Sequence, residues 1–121
     1  MAYVLGLWWT DGCMRVKAHG AHEIEIASND REHLEMIARV IGGNFQLRKV
    51  APDSLCYKII FCSKQMYQDI EKLGGTPRKS RTIGFPDVPI ELLPHFVRGV
   101  VDGDGTLSWN GDRPVLHIYS A

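Results

Sequence analysis

The sequence predicts an α+β fold class built on antiparallel strands, and three observations carry that prediction. Runs with period-two alternation come in adjacent pairs, each pair joined by a short turn. Between the pairs lie segments whose apolar residues recur at i, i+3, i+4 and i+7, the spacing of an amphipathic helix. Finally, one phrase is written almost twice: "YVLGLWWTDG" from Tyr3 and "FVRGVVDGDG" from Phe96. Tyr3 and Phe96, Gly6 and Gly99, Asp11 and Asp104, and Gly12 and Gly105 all stand the same distance apart. The second phrase therefore opens a second copy of the first unit.

Taken in order, Tyr3, Gly6, Leu7 and Thr10 form a helical stripe that Asp11-Gly12 interrupts. "CMRVKAHGAHEIEIAS" then alternates, with Arg15, Lys17 and His19 on one side and Met14, Val16 and Ala18 on the other. Gly20 marks the turn, and Glu23 and Glu25 alternate with Ile24 and Ile26, so a hairpin with one charged and one apolar face is expected. Ser28-Asn29-Asp30 offers N-caps for a helix 30–41 with Leu34, Ile37, Ala38 and Ile41 inward, ended by Gly42-Gly43. "NFQLRKV" and "LCYKIIFC" give a second strand pair around Ala51-Pro52-Asp53-Ser54, and Phe45 should join the core with Ile24 and Ile26. Ser63 caps a further helix, with Met66, Ile70 and Leu73 inward and Gly74-Gly75 as its stop.

A cation-rich connector, "TPRKSRTIGFPDVP", leads to a helix from Ile90 whose stripe is Phe96, Gly99, Val100 and Gly103. Pro94 is expected in its first turn, where a missing N–H is tolerated. "TLSWNGDRPVLHIYS" follows, with Asn110-Gly111 as a hairpin turn. The predicted order is αββαββα over residues 1–88 and αββ over 89–121, a second repeat without its later helix and strand pair. Its hairpin should leave Leu107, Val115 and Ile118 exposed, which favours self-association through the motif helix or the hairpin.

A chain of 121 residues can bury a working core without disulfides. Apolar residues at 45% and charged ones at 23% place it among soluble globular proteins. Formal net charge is zero, so any case for a nucleic-acid partner rests on where the cations sit. No apolar run approaches the roughly 18 residues of a membrane span, and the N-terminus lacks a signal-peptide layout. Cys13, Cys56 and Cys62 are odd in number and form no CxxC pair. They are expected as reduced, mostly buried thiols of an intracellular protein, cytoplasmic or organellar.

Gly6 with Thr10, and Gly99 with Gly103, clear one face of each motif helix at four-residue spacing. Two such faces can pack closer than the usual 8–10 Å between axes. Paired side by side, the helices would bring Asp11 and Asp104 together at their C-terminal ends. Two carboxylates at the partial negative ends of helices repel, and so favour a proton or a hard divalent cation between them. Oxygen ligands with open positions suit Mg²⁺, Mn²⁺ or Ca²⁺ rather than zinc. A lone Asp-Gly is a stop-and-turn signal. Its repetition in the same helical phase, before a hairpin both times, favours a paired site.

Val4–Gly12 and Val97–Gly105 resemble the two motif copies of the LAGLIDADG homing endonucleases, and the αββαββ order between them fits as well. The resemblance implies motif helices at the interface of two similar halves, with the last acid of each motif on a catalytic metal. Those acids are Asp11 and Asp104. The earlier motif acid is matched by Asp102 in the second copy and by Trp9 in the first, a position that is not the metal ligand in the family.

The same resemblance implies a curved antiparallel sheet laid in the DNA major groove. Arg15, Lys17, His19, Gln46, Arg48, Lys58 and Arg113 are then the DNA-reading side chains, since Arg suits guanine and Gln suits adenine. The competing account is a solvated face with Glu23 and Glu25 paired to Lys17 and Arg15. "PRKS" resembles the family's connector that carries a lysine to the scissile phosphate, which makes Lys79 the third catalytic candidate, against a plain surface lysine. His19 and His22 flank a turn but lack further metal ligands at fitting spacing. Trp8, Trp9 and Trp109 read as packing residues.

The implied function is site-specific, metal-dependent hydrolysis of double-stranded DNA, with intron or intein homing as the setting. Mg²⁺ or Mn²⁺ would be the cofactor and Ca²⁺ a non-productive substitute. This chain is expected to be a fragment of the full enzyme. The alternative is a catalytically inactive nucleic-acid-binding module, an RNA maturase or a DNA-binding regulator.

Overall fold

The computed structural model describes residues 1–119; positions 120 and 121, the end of the expected second repeat, lie outside the described residues. The elements are α1 (Ala2–Asp11), β1 (Gly12–Val16), β2 (His22–Ser28), α2 (Arg31–Ile41), β3 (Phe45–Lys49), β4 (Tyr57–Cys62) and α3 (Lys64–Lys72). A short 3-10 turn (Lys79–Arg81) precedes α4 (Leu93–Asp104), β5 (Gly105–Asn110) and β6 (Arg113–Ile118). This is the expected α+β order. The anticipated boundary at 88/89 falls in the connector before α4.

β1 to β4 form one antiparallel sheet in the order β1-β2-β4-β3, and β5 and β6 form a separate hairpin. The register sets Met14 against Ile24, Ile24 against Phe61, and Ile26 against Ile59. Directly opposed residues share a face, so these side chains make one apolar surface. α1, α2 and α3 cover it with Val4, Leu7, Trp8, Leu34, Ile37, Ala38, Tyr67 and Ile70, all buried. Each of the aliphatic side chains Val4, Leu7, Leu34, Ile37 and Ile70 contributes about 1.5–3 kcal/mol by leaving water.

The helix starts follow the capping logic. The Asp30 carboxylate accepts from the His33 N–H at 2.9 Å, and the Ser63 hydroxyl accepts from the Met66 N–H at 3.2 Å. Asp30→Ala should lower stability by about 1 kcal/mol in urea unfolding; an unchanged midpoint would remove this cap from the account of α2.

Each motif helix passes straight into a strand. Gly12 and Gly105 are both extended, at φ −90° and −80°. A Cβ at Gly12 would lie 2.2 Å from Trp8 Cδ1. The glycine after each aspartate is thus required by space, and each Asp-Gly pair, the expected helix break, is a direct helix-to-strand switch.

Several other expectations are corrected. α4 begins at Leu93, not Ile90: Pro94 has no N–H to give the Ile90 carbonyl, and residues 90–92 form a turn. The β5–β6 turn is centred on Gly111-Asp112, because Asn110 and Arg113 pair across it. Phe45 is on the apolar side of the sheet but 39% exposed, since β3 is an edge strand. Cys13 and Cys62 are exposed and Cys56 half-buried, because the first two project from the sheet's polar face.

In the second hairpin Leu107 opposes Leu116, Trp109 opposes Pro114, and Gly105 opposes Ile118, giving one apolar face. Val115 opposes Ser108 on the other face and is half-buried, contrary to its expected exposure. Trp109 is 69% exposed and Leu107 66%, so Trp109 is not a packing residue within this chain.

Candidate functional site

α1 and α4 touch more extensively than any other two helices. A Cβ at Gly6 would stand 2.9 Å from the Gly99 Cα, and one at Gly99 would stand 2.1 Å from the Tyr3 carbonyl oxygen. At the far end, a Cβ at Gly103 would meet Thr10 Oγ1 at 2.0 Å and Asp11 Oδ2 at 3.1 Å. The four small residues therefore line one seam, backbone against backbone at Gly6 and Gly99 and Gly103 against the Thr10 side chain. Asp11 and Asp104, the last residues of the two helices, emerge side by side at its end.

Partial desolvation pushes the Asp11 carboxyl above its usual range; the neighbouring Asp104 charge adds to this, and Lys79 opposes it. Lys79 comes from the 3-10 turn of the connector and is buried. Its Nζ donates to the Trp9 and Thr10 carbonyls at 2.7 and 2.8 Å, closing the C-terminus of α1, and lies 5.4 Å from the Trp8 ring centre. Burial lowers the ammonium's pKa, while Asp11 and Asp104 raise it. The surface-lysine account of Lys79 is thereby excluded.

Among the described residues, no three His, Cys, Asp or Glu side chains gather as a metal cluster. Two carboxylates alone still fit Mg²⁺ or Mn²⁺, which keep several waters and take remaining ligands from substrate phosphates. The Asp11 carboxyl is raised first by desolvation and then by the Asp104 charge, and a cation between the two acids would offset both.

The register also places the cations. Cys13, Glu25, Ile60 and Gln46 lie in one row across the sheet, and Ala27, Lys58 and Arg48 in another on the same face. Arg15 opposes Glu23 there, and the Lys17 ammonium reaches the same Glu23. Arg15, Lys17, Gln46, Arg48 and Lys58 thus share a face. His19 does not: it sits in the turn between β1 and β2, where the Gly20 N–H bonds the Lys17 carbonyl. Arg113 stands at the start of β6, in the second hairpin.

Two arrangements escaped the sequence reading. The Lys58 ammonium crosses from β4 to the buried Glu25, which also takes the Arg15 guanidinium that it shares with Glu23. The Tyr3 hydroxyl donates to Asp102 at 2.9 Å and meets His33 Nε2 at 2.9 Å. At the positions related by the repeat, Phe96 meets Trp9 edge-on, with ring centres 6.0 Å apart. The mismatch of Trp9 against Asp102 was the one sequence signal for this pairing.

A family model described as a LAGLIDADG-like domain matches residues 1–50. No curated protein matches the chain in sequence. Among solved structures, a mutant of I-SmaMI is similar over 88% of this chain and 59% of its own, at 15% identity and a TM-score of 0.56. I-DmoI in complex with DNA and Mn is similar over 87% of this chain and 61% of its own, at 14% identity and a TM-score of 0.55. I-SmaMI bound to uncleaveable DNA matches with a TM-score of 0.55 at 13% identity, over 88% of this chain and 58% of its own. The chain thus spans about three fifths of the length of the structures it matches. The resemblance read from the two phrases is upheld, and the fold is that of the LAGLIDADG homing endonucleases.

Proposed function

We propose that this LAGLIDADG-like chain forms the core of a homing-type endonuclease that cuts double-stranded DNA at a specific site. The observation that carries the reading is the pair of acids, Asp11 and Asp104, delivered side by side by two helices locked at Gly6 and Gly99. Asp11 and Asp104 would hold Mg²⁺ or Mn²⁺, which supplies Lewis-acid polarisation of the phosphodiester and a more acidic water. Lys79 has three N–H donors and spends two on backbone carbonyls. The third is free to orient the attacking water or a phosphate oxygen beside the acids. Arg15, Lys17, Gln46, Arg48 and Lys58 face the duplex, with base edges as their targets.

The test is cleavage of a plasmid library carrying randomised duplex sites. Linear product with Mg²⁺ or Mn²⁺, binding alone with Ca²⁺ and no cutting after chelation are expected. Specific binding without cutting in either productive metal would transfer the chain to the inactive, binding-only class.

No helix among the described residues is long and apolar enough to cross a membrane, and the free thiols fit a reducing, intracellular setting. α4 is engaged with α1, which leaves the hairpin face of Leu107, Trp109, Leu116 and Ile118 for association. The 121-residue chain should give a dimeric or larger mass by light scattering, and Leu107→Lys with Leu116→Lys should return it to monomer. A monomer at millimolar concentration would end the self-association proposal.

A further inference from the structure

The polar face of the sheet holds more structure than a set of free cations. Arg15 donates through Nε to Glu23 at 3.0 Å and through Nη2 to Glu25. Lys17 Nζ lies 3.2 Å from Glu23, and Lys58 Nζ donates to both Glu25 oxygens at 3.2 and 3.3 Å. The two glutamate side chains are only 13% and 12% exposed, and their cations stand above them. Burial works against the ionised Glu23, but the hydrogen bonds from Arg15 and Lys17 prevail and hold its carboxyl below the usual range. Arg48 differs, since it bonds Gln46 rather than an acid.

Such a lattice does little for folding that apolar side chains of similar volume would not do. Its consequence is for binding. A cation already matched by a carboxylate gains less from a phosphate and releases fewer counterions on meeting one. Yet its unused N–H groups keep a fixed direction, which base-edge hydrogen bonds require. Three of the face's cations are tied in this way, whereas Arg48 has only the neutral Gln46 as its partner.

The geometry points to Glu23 and Glu25 as positioning residues that restrain Arg15, Lys17 and Lys58 from indiscriminate phosphate binding and set them for base readout. This rests on the proposal that the face meets duplex DNA.

The experiment compares the full chain with Glu25→Gln, Glu23→Gln and the double variant on heparin, and on a random-sequence duplex across a salt series. Each variant is first checked for native circular dichroism. Glu23→Gln keeps the inference testable if loss of the more enclosed Glu25 charge disturbs folding. The variants should elute from heparin at higher salt, and the double variant should steepen the slope of log K against log salt by about 1 to 2. Adding Arg15→Gln and Lys58→Gln to the double variant should cancel the gain. Unchanged elution and slope, or a gain that survives loss of Arg15 and Lys58, would overturn the inference. If Arg48→Gln and Lys58→Gln leave duplex binding untouched while the heparin shift stands, the DNA-facing proposal fails and the lattice is upheld.

Discussion

Replacing Asp11 with asparagine is expected to abolish cleavage while leaving the chain folded and, near neutral pH, more stable than the wild type. Asparagine keeps the size of the side chain but removes one of two negative ligands. Metal-borne charge stabilisation is worth several kcal/mol in such reactions. At about 1.4 kcal/mol per factor of ten, single-turnover cleavage should fall by about 10³-fold. Stability should move the other way. Desolvation and Asp104 raise the Asp11 pKa above its unfolded value, so folding takes up a proton between the two values. Stability therefore falls as pH rises through that window, and above it the ionised carboxylate is a burden that asparagine lacks. The urea midpoint at neutral pH should rise modestly for Asp11→Asn. Wild-type cleavage should also weaken as pH drops, starting at a higher pH than for an ordinary carboxylate, because the ligand must be deprotonated. Cutting within about tenfold of wild type by Asp11→Asn would remove Asp11 from the metal site.

Gly99→Ala should damage the molecule far more than a methyl group added at an open glycine. Its Cβ would lie 2.1 Å from the Tyr3 carbonyl oxygen, 2.9 Å from the Leu7 nitrogen and 3.0 Å from the Gly6 Cα. All three are backbone atoms, so no side-chain rotation relieves the clash and the helices must part. Overpacking costs about 1–3 kcal/mol and occasionally more; three backbone clashes put Gly99→Ala at the upper end, beyond the roughly 1 kcal/mol that alanine gains over glycine in a helix. Against a total of about 5–15 kcal/mol, that is a large loss. Gly84→Ala is the control, since nothing lies within 4 Å of its added methyl. A Gly99→Ala urea midpoint equal to that of Gly84→Ala would refute the close helix seam, and with it the placement of the two aspartates.

Periodicity made the elements legible, because alternation and i, i+4 spacing are local properties that each segment carries alone. Leu34, Ile37 and Ala38 were readable as the buried stripe of α2 for that reason. What covers a face is not local. Phe45 has the right parity for the core, but strand order puts β3 at an edge, and order is decided by pairings that no single strand encodes. The same limit explains the cysteines: Cys13 and Cys62 lie on the apolar-poor side of their strands, and composition alone favoured burial. The acids of the candidate site were readable, since the repeat names Asp11 and Asp104 at the same place in both phrases. Lys79 was legible as a candidate only; its burial against the end of α1 depends on how the connector folds back. The Glu23 and Glu25 pairs were foreseen as an alternative to DNA contact, whereas Lys58 crossing to Glu25 required the β2–β4 register.

The contacts that flank the helix seam are unlike on its two sides. Tyr3 bonds Asp102 on one side, and Phe96 meets Trp9 on the other. Pairing like with like would set Tyr3 against Trp9 between two copies of α1, leaving the hydroxyl without its carboxylate. Two copies of α4 would set Phe96 against Asp102, a carboxylate on a ring that offers it no hydrogen. Only the unlike pair satisfies both positions, so the seam carries a rule of recognition as well as a fit. Each helix thus fits the other better than it fits its twin. Chains that exchanged these helices would still join α1 of one to α4 of the next.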